Sequence, residues 1–291
     1  MKIYFYKNKK SFLPEIDAYV NYFKRNHIDA EVTSRINCIS KGDIIWYFMG
    51  FNLKRKKNVY VVHEYASLSV GKLPKFKNKI KRIINCKPDL RIFLNEYIKD
   101  EFNFTDNVPY VIRDMAVSKE FINFNNKKKY DYVYCGKVDS DRRLDLILEQ
   151  FRHRKDKNIL VIGNVPDAYI RQFSDLSNIT FIGNVSNSKV PFYLNQAKIG
   201  INIINNIYPY TKQTSTKILE YLACGLFIYT TRTEWCISYE MKHQLTFQYI
   251  EGGKIEFDAL FERENEYQPK YWDDILNNID IVSKIRGITN E

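Results

Sequence analysis

The amino-acid sequence predicts an α/β chain of two doubly wound, Rossmann-like domains in tandem. Strand-length apolar runs alternate with helix-length amphipathic segments, a rhythm that implies mostly parallel sheets covered on both faces. The rhythm stops in the polar, basic stretch "EFINFNNKKKYD" and then restarts. With 291 residues, 45% hydrophobic and 15% aromatic, the chain can bury two cores of ordinary size. The expected boundaries are a first domain over 1–118, a second over 128–265 and a closing helix over 266–291.

In chain order, "KIYFY", "DIIWYFMG", "NVYVVHE", "DLRIFLN" and "VPYVI" read as strands of the first domain. Between the first two, "LPEIDAYVNYFKRN" carries Ile16, Tyr19, Val20 and Phe23 on one helical face. After the break, "YVYCG", "NILVIG", "NITFIG", "KIGINII" and "LFIYTT" supply five further strands, with "RRLDLILEQF" and "STKILEYLACG" as helices between them. The closing "YWDDILNNIDIVSKIRG" places Trp272, Ile275, Leu276, Ile279 and Val282 at helical spacing, with Asp273 and Asp274 in its first turn. No sequence repeat accompanies the duplicated architecture.

The formal charge of +11 and pI near 9.2 predict attraction to an anionic partner: nucleic acid, an acidic membrane surface or a phosphorylated substrate. The N-terminal apolar patch is too short for a signal segment and no run of 18 apolar residues follows, so a cytosolic protein is expected. Cys38, Cys86, Cys135, Cys224 and Cys236 are odd in number and scattered without CxxC spacing, which disfavours a disulfide framework or a zinc site. They read as small buried hydrophobes.

Tandem doubly wound domains place the carboxyl ends of both sheets across a cleft, where such sheets bind ligands. Two stretches supply chemistry there. In "TSTKILEYLACG", Thr214, Ser215 and Thr216 can cap a helix whose N-terminus favours a phosphate, and Glu220 lies on the same face as Thr216. In "YVYCGKVDSDRRLDLILEQF", the strand turns at Gly136 and presents Lys137, Arg142 and Arg143 before the next helix.

This order of strand, Gly-basic turn, basic residue and helix, followed downstream by "KILEYLACG", resembles the second half of retaining GT-B glycosyltransferases of family four, over roughly residues 130–235. Over residues 1–118 the likeness is architectural only. The resemblance implies that Lys137 and Arg142 bind the diphosphate of a nucleotide-sugar donor. The turn at Gly136 and the helix start at Thr214–Lys217 complete that site, and Glu220 holds the ribose. It also implies a glycan or lipid-linked glycan acceptor and a role in bacterial surface polysaccharide assembly (lipopolysaccharide, O-antigen or capsule). No nucleophile is expected of the protein; the leaving phosphate takes the acceptor proton on the same face of the sugar, helped by cations. No cofactor or metal is implied.

The sequence departs from the family at two places. The usual E-x7-E pattern would put an acid where Lys212 stands, and no acid occurs from Gly200 to Leu219; Lys212 is taken as the group contacting the donor sugar or its phosphate. "YKNKKSFLPE" replaces the glycine-rich loop after the first strand. In the first domain, "VYVVHEY" is expected to set His63 and Glu64 at an open strand end, where family members place a histidine near the donor sugar; a strand-end histidine bonded to its surroundings is the competing reading. Asp139 to Asp141 read as a helix cap rather than a metal-binding DxD. Finally, "KLPKFKNKIKRIINCK" forms a basic helix with Phe76, Ile80, Ile83 and Ile84 on one face. That face packs on the first domain, or the lysines beside it lie on anionic lipid at about 1 kcal/mol each and hold the enzyme on the inner face of the cytoplasmic membrane. A nucleic-acid-binding protein fits the charge but lacks any known motif, so no nucleic acid is expected; a silent GT-B relative acting as a binding module is favoured only by Lys212.

Overall fold

The computed structural model describes residues 1–7, 13, 15–138, 142–259, 261 and 266–289. The chain divides into two compact units, Met1–Ala116 with Lys270–Glu291, and Val117–Pro269.

The first unit runs β1 (Lys2–Tyr6), α1 (Glu15–Arg25), β2 (Asp29–Thr33), β3 (Ile44–Phe48), β4 (Tyr60–Tyr65), α2 (Pro74–Ile84), β5 (Leu90–Phe93), α3 (Glu96–Phe102) and β6 (Tyr110–Ile112). All strands pair in parallel, in the order β2-β1-β3-β4-β5-β6. The central strands are apolar on both faces because helices cover both sides of a parallel sheet. On one side α1 buries Ile16, Tyr19, Tyr22 and Phe23 against Phe5 and Trp46, with the Tyr19 and Trp46 rings 4.8 Å apart.

The second unit runs β7 (Tyr130–Cys135), α4 (Leu144–Gln150), β8 (Ile159–Ile162), α5 (Asp167–Gln172), β9 (Ile179–Gly183), α6 (Val190–Leu194), β10 (Ala197–Asn202), α7 (Thr216–Ala223), β11 (Phe227–Thr231), α8 (Glu234–His243) and β12 (Phe247–Ile250). Its parallel sheet has the order β12-β11-β10-β7-β8-β9. Numbered within the unit and read from β9, that is the Rossmann order 3-2-1-4-5-6, with its switch point between β7 and β10.

The structure adds helices α3, α5, α6 and α8 to those the sequence singles out, and also differs in its strands and its chain end. Strands β2 and β12 are additional, and both are sheet edges, where one neighbour suffices and the apolar signal is weak: β2 is "DAEVT", with Ala30 its one buried residue. The closing helix is two, α9 (Trp272–Asn278) and α10 (Ile281–Thr289), because Asp280 takes a left-handed φ of 46° between them. Leu276, Ile281 and Ile285 from this pair pack into the core of the first unit beside Phe23 and Trp46.

Candidate donor site

Open α/β sheets bind ligands outside the carboxyl ends of their strands at the switch point. In the second unit a cavity of about 320 Å³ lies there, lined by Arg142, by Asn202–Asn205 after β10, and by Tyr210 and Gln213–Lys217 leading into α7. Tyr221 fixes α7 over this point. Its hydroxyl accepts from the Cys135 N–H at the end of β7 (2.9 Å) and donates to the Ile201 carbonyl near the end of β10 (3.3 Å). Its ring lies on Gly200, where an added Cβ would stand 2.3 Å from it. The helix ends as it must for so tight a return: Gly225 adopts φ +71° and the Leu226 N–H reaches back to the Tyr221 carbonyl.

The cations converge on the turn after β7. Gly136 has φ +149°, and a Cβ there would lie 2.4 Å from Lys217 Nζ and 3.2 Å from an Arg142 guanidinium nitrogen. Only glycine leaves room for both. Gly163, after β8, is the floor of the same turn, since its Cβ would fall 2.1 Å from the Gly136 carbonyl oxygen. The Tyr134 hydroxyl donates to the Lys137 carbonyl (2.8 Å) and accepts from Arg142 (3.3 Å), which orders the loop. Lys217 stands 5.1 Å over the Tyr134 ring.

At the start of α7, Ser215 occupies the N-cap but makes no capping bond; its hydroxyl donates instead to Asn202 Oδ1 (3.3 Å). The expected hydroxyl cap is thus replaced by a side-chain tie to β10. Asn202 in turn donates to Thr230 (3.0 Å). With no side-chain cap from Ser215, the start of α7 keeps the uncapped N–H groups that favour an anion at a helix terminus. One turn on, the Glu220 carboxylate makes no hydrogen bond to any described residue, and burial pushes it up to about 7 against the opposing pull of Lys217. Gln213 Nε2 is likewise buried without a hydrogen-bond partner among the described residues, in the cavity wall.

Of the residues the sequence singles out, the structure gathers Gly136, Arg142, Thr214, Ser215, Thr216 and Lys217 at this point, with Glu220 a turn away. Lys137 is exposed, outside the cavity lining. Lys212 ends a 3-10 turn, Tyr210–Lys212, and pairs with Glu234 at 3.2 Å; Tyr210 and Gln213, on either side of it, line the cavity instead. Asp139–Asp141 lie outside the described residues, and among the described residues no three His, Cys, Asp or Glu side chains form a metal-binding group. Gln213 and the clamp of Tyr221 on Gly200 are the features that sequence reasoning missed; the pairing of "IGI" with "EYLACG" is the only signal of the clamp, and Gln213 has none.

His63 and Glu64 are not open at a strand end. Strand β4 continues through Tyr65, and both side chains are fully buried. His63 faces Tyr47 and Tyr65 and lies 3.8 Å from Cys86 Sγ; burial, with Arg91 and Arg55 nearby, lowers it to about 3, so it is neutral at physiological pH. Glu64 accepts from Arg113 Nε (2.6 Å) and Trp46 Nε1 (2.8 Å) on the opposite face of the sheet. A period of two sends neighbours to opposite faces, and here each face is covered.

A Rossmann-order unit with cations, a helix N-terminus without a side-chain cap and a carboxylate at its switch point has the layout of a domain that takes an anionic ligand there. Residues 129–248 match the family model described as Glycosyl transferases group 1. Similar solved structures include AviGT4, a glycosyltransferase involved in avilamycin A biosynthesis, with TM-score 0.64 and 9% identity over 100% of this chain and 98% of that one. Anabaena HepE, solved with UDP and glucose, gives TM-score 0.58 and 10% identity over 99% and 91%. The UDP-GlcNAc 2-epimerase of Methanocaldococcus jannaschii gives 0.59 and 10% over 98% and 100%. These likenesses show the fold, which is GT-B. No curated protein matches the sequence.

Proposed function

We propose that the chain is a retaining glycosyltransferase, moving a sugar from a nucleotide-sugar donor to a glycan or lipid-linked glycan acceptor in bacterial surface polysaccharide assembly. The observation that carries the donor assignment is the meeting of Arg142, Lys217 and the uncapped start of α7 at the switch point of the second unit, one turn from Glu220. In this reading the diphosphate lies across the α7 N-terminus between Arg142 and Lys217, and the ribose hydroxyls donate to the Glu220 carboxylate. The sequence likeness to bacterial family-four members supports retention and the acceptor class.

The chemistry follows from where charge develops. As the bond from the anomeric carbon to the phosphate oxygen breaks, negative charge builds on the diphosphate, and two cations and the helix N–H groups stabilise it in place. The acceptor oxygen bonds to the anomeric carbon on the same face, and its proton passes to the departing phosphate. The positive groups already at the site make a metal unnecessary in this scheme. His63 and Glu64, buried in the first unit, take no part; Gln213 faces the donor. Incubation with a panel of nucleotide sugars in EDTA, followed by NMR, is the test. Release of sugar with the donor's anomeric configuration is expected. Inverted product, an absolute need for magnesium, or an epimerised donor with no release overturns the reading.

A further inference from the structure

Helix α2 is built inside out for a soluble domain. It has one buried residue, Asn78, whose Oδ1 accepts from the Ser69 N–H (2.9 Å). Its apolar side chains point the other way, with Phe76 57% and Ile83 66% exposed, Ile84 beside them, and Leu73 72% exposed at the helix entrance. The loop after β3 adds Phe51 and Leu53, also exposed. This loop is fastened to the end of α2: Asn85 Oδ1 accepts from the Asn52 N–H (2.8 Å), its Nδ2 donates to the Gly50 carbonyl (3.2 Å), and the Cys86 N–H reaches the Asn52 carbonyl (2.8 Å). Lys81 Nζ stands 5.7 Å over the Phe51 ring. The apolar groups therefore form a fixed patch rather than scattered exposed residues, which need no explanation.

Charge identifies what covers it. From Ile44 to Pro88 the sequence has eleven Lys and Arg against a single acid, Glu64, nearly the whole of the formal net charge of +11. That acid is buried against Arg113, so the surface of this segment shows no acid at all. A protein partner or a second copy would have to bring a matching acidic surface, and the rest of the sequence is near neutral. An anionic bilayer supplies both requirements at once, acidic headgroups for the lysines and an apolar layer below them for Phe51, Leu53, Phe76 and Ile83. No helix among the described residues is long and apolar enough to cross a membrane.

We propose that α2 and the loop after β3 form a membrane-docking patch that inserts its aromatic and aliphatic side chains into the interface of an anionic bilayer. This binding is independent of the donor site. Co-sedimentation with phosphatidylcholine vesicles, with and without phosphatidylglycerol, tests it. The wild type should pellet with the anionic vesicles only. Phe51→Ser with Phe76→Ser and Ile83→Ser should lower partitioning by about tenfold or more. Lys72→Gln with Lys75→Gln and Lys79→Gln should lower it by on the order of a hundredfold and flatten its salt dependence. Both variants should keep the wild-type melting temperature and UDP affinity, since every altered side chain lies at the surface. A wild type that stays in the supernatant at low salt overturns the proposal. Vesicle binding that the serine variant leaves unchanged overturns insertion. A concentration-dependent dimer that the serine substitutions abolish would show instead that a second copy covers the face.

Discussion

The two units solve one architectural problem with opposite outcomes at the ends of their strands. In the first, order β2-β1-β3-β4-β5-β6, the carboxylate near the end of β4 is closed off: Glu64 is held by Arg113 and Trp46, and the Arg113 guanidinium lies 5.0 Å from the Trp272 ring. In the second, the carboxylate on α7 is left without a hydrogen bond to any described residue, and the cations meet beside a cavity. Burying an ion pair is a structural commitment, because removing one partner strands the other. Leaving a partly buried carboxylate without a hydrogen bond carries a cost that protonation or a ligand can offset. Two parallel sheets of equal strand number thus differ in the state of their strand-end polar groups.

The contrast can be broken from either side. Arg113→Met strands the buried Glu64 carboxylate and should destabilise by about 3–5 kcal/mol, read from urea unfolding; adding Glu64→Gln should recover much of the loss. In the second unit the largest loss should come from Gly163→Ala. Its φ of +135° and its contact with the Gly136 backbone leave a methyl nowhere to go, at about 1–3 kcal/mol for the conformation alone. Gly136→Ala carries similar backbone strain at φ +149° but meets the flexible end of Lys217 rather than backbone, so it should also reduce donor affinity.

Glu220→Gln should weaken donor binding by about 1.5–3 kcal/mol in calorimetry. The same group sets a pH dependence. Its folded value, about 7, lies above the ordinary 4.5, so the folded state holds a proton that the unfolded chain has released, and stability falls as pH rises between those values. The substitution should therefore leave stability at pH 5 nearly unchanged and raise it at pH 8. Ribose hydroxyls favour the ionised form, so affinity for an intact nucleotide sugar should rise about tenfold from pH 6 to pH 8 in the wild type and stay flat in the variant. The smallest effect expected is Gln213→Ala, about 0.5–1.5 kcal/mol, lost for nucleotide sugars but not for the bare nucleoside diphosphate.

Both sheets were legible because their inner strands are apolar on both faces, as in "NILVIG" and "DIIWYF". The edges β2 and β12 were not, since an edge strand need bury only part of itself. The candidate donor site was legible where it rests on local sequence: a glycine turn followed by basic residues, and a short helix bearing one acid. It was not legible where function rests on contacts between distant strands. Tyr221 on Gly200 joins segments 21 residues apart, and nothing local marks Gln213, rather than Lys212, as the side chain in the cavity wall. His63 and Glu64 misled for a related reason. A polar residue late in a strand looks open until the partner that pairs with it, here Arg113 on Glu64 with its guanidinium against Trp272, arrives from far along the chain.

The central claim is that the switch point of the second unit holds a nucleoside diphosphate by its own cations. Calorimetric titration of UDP, GDP, ADP and dTDP in EDTA, on the wild type and on Arg142→Met, tests it most directly, with the matching nucleosides as controls. At least one diphosphate should bind the wild type without metal and lose about tenfold or more in affinity with Arg142→Met, while the matching nucleoside binds both proteins alike. Diphosphate binding that appears only with magnesium, or that Arg142→Met leaves intact, would contradict the account.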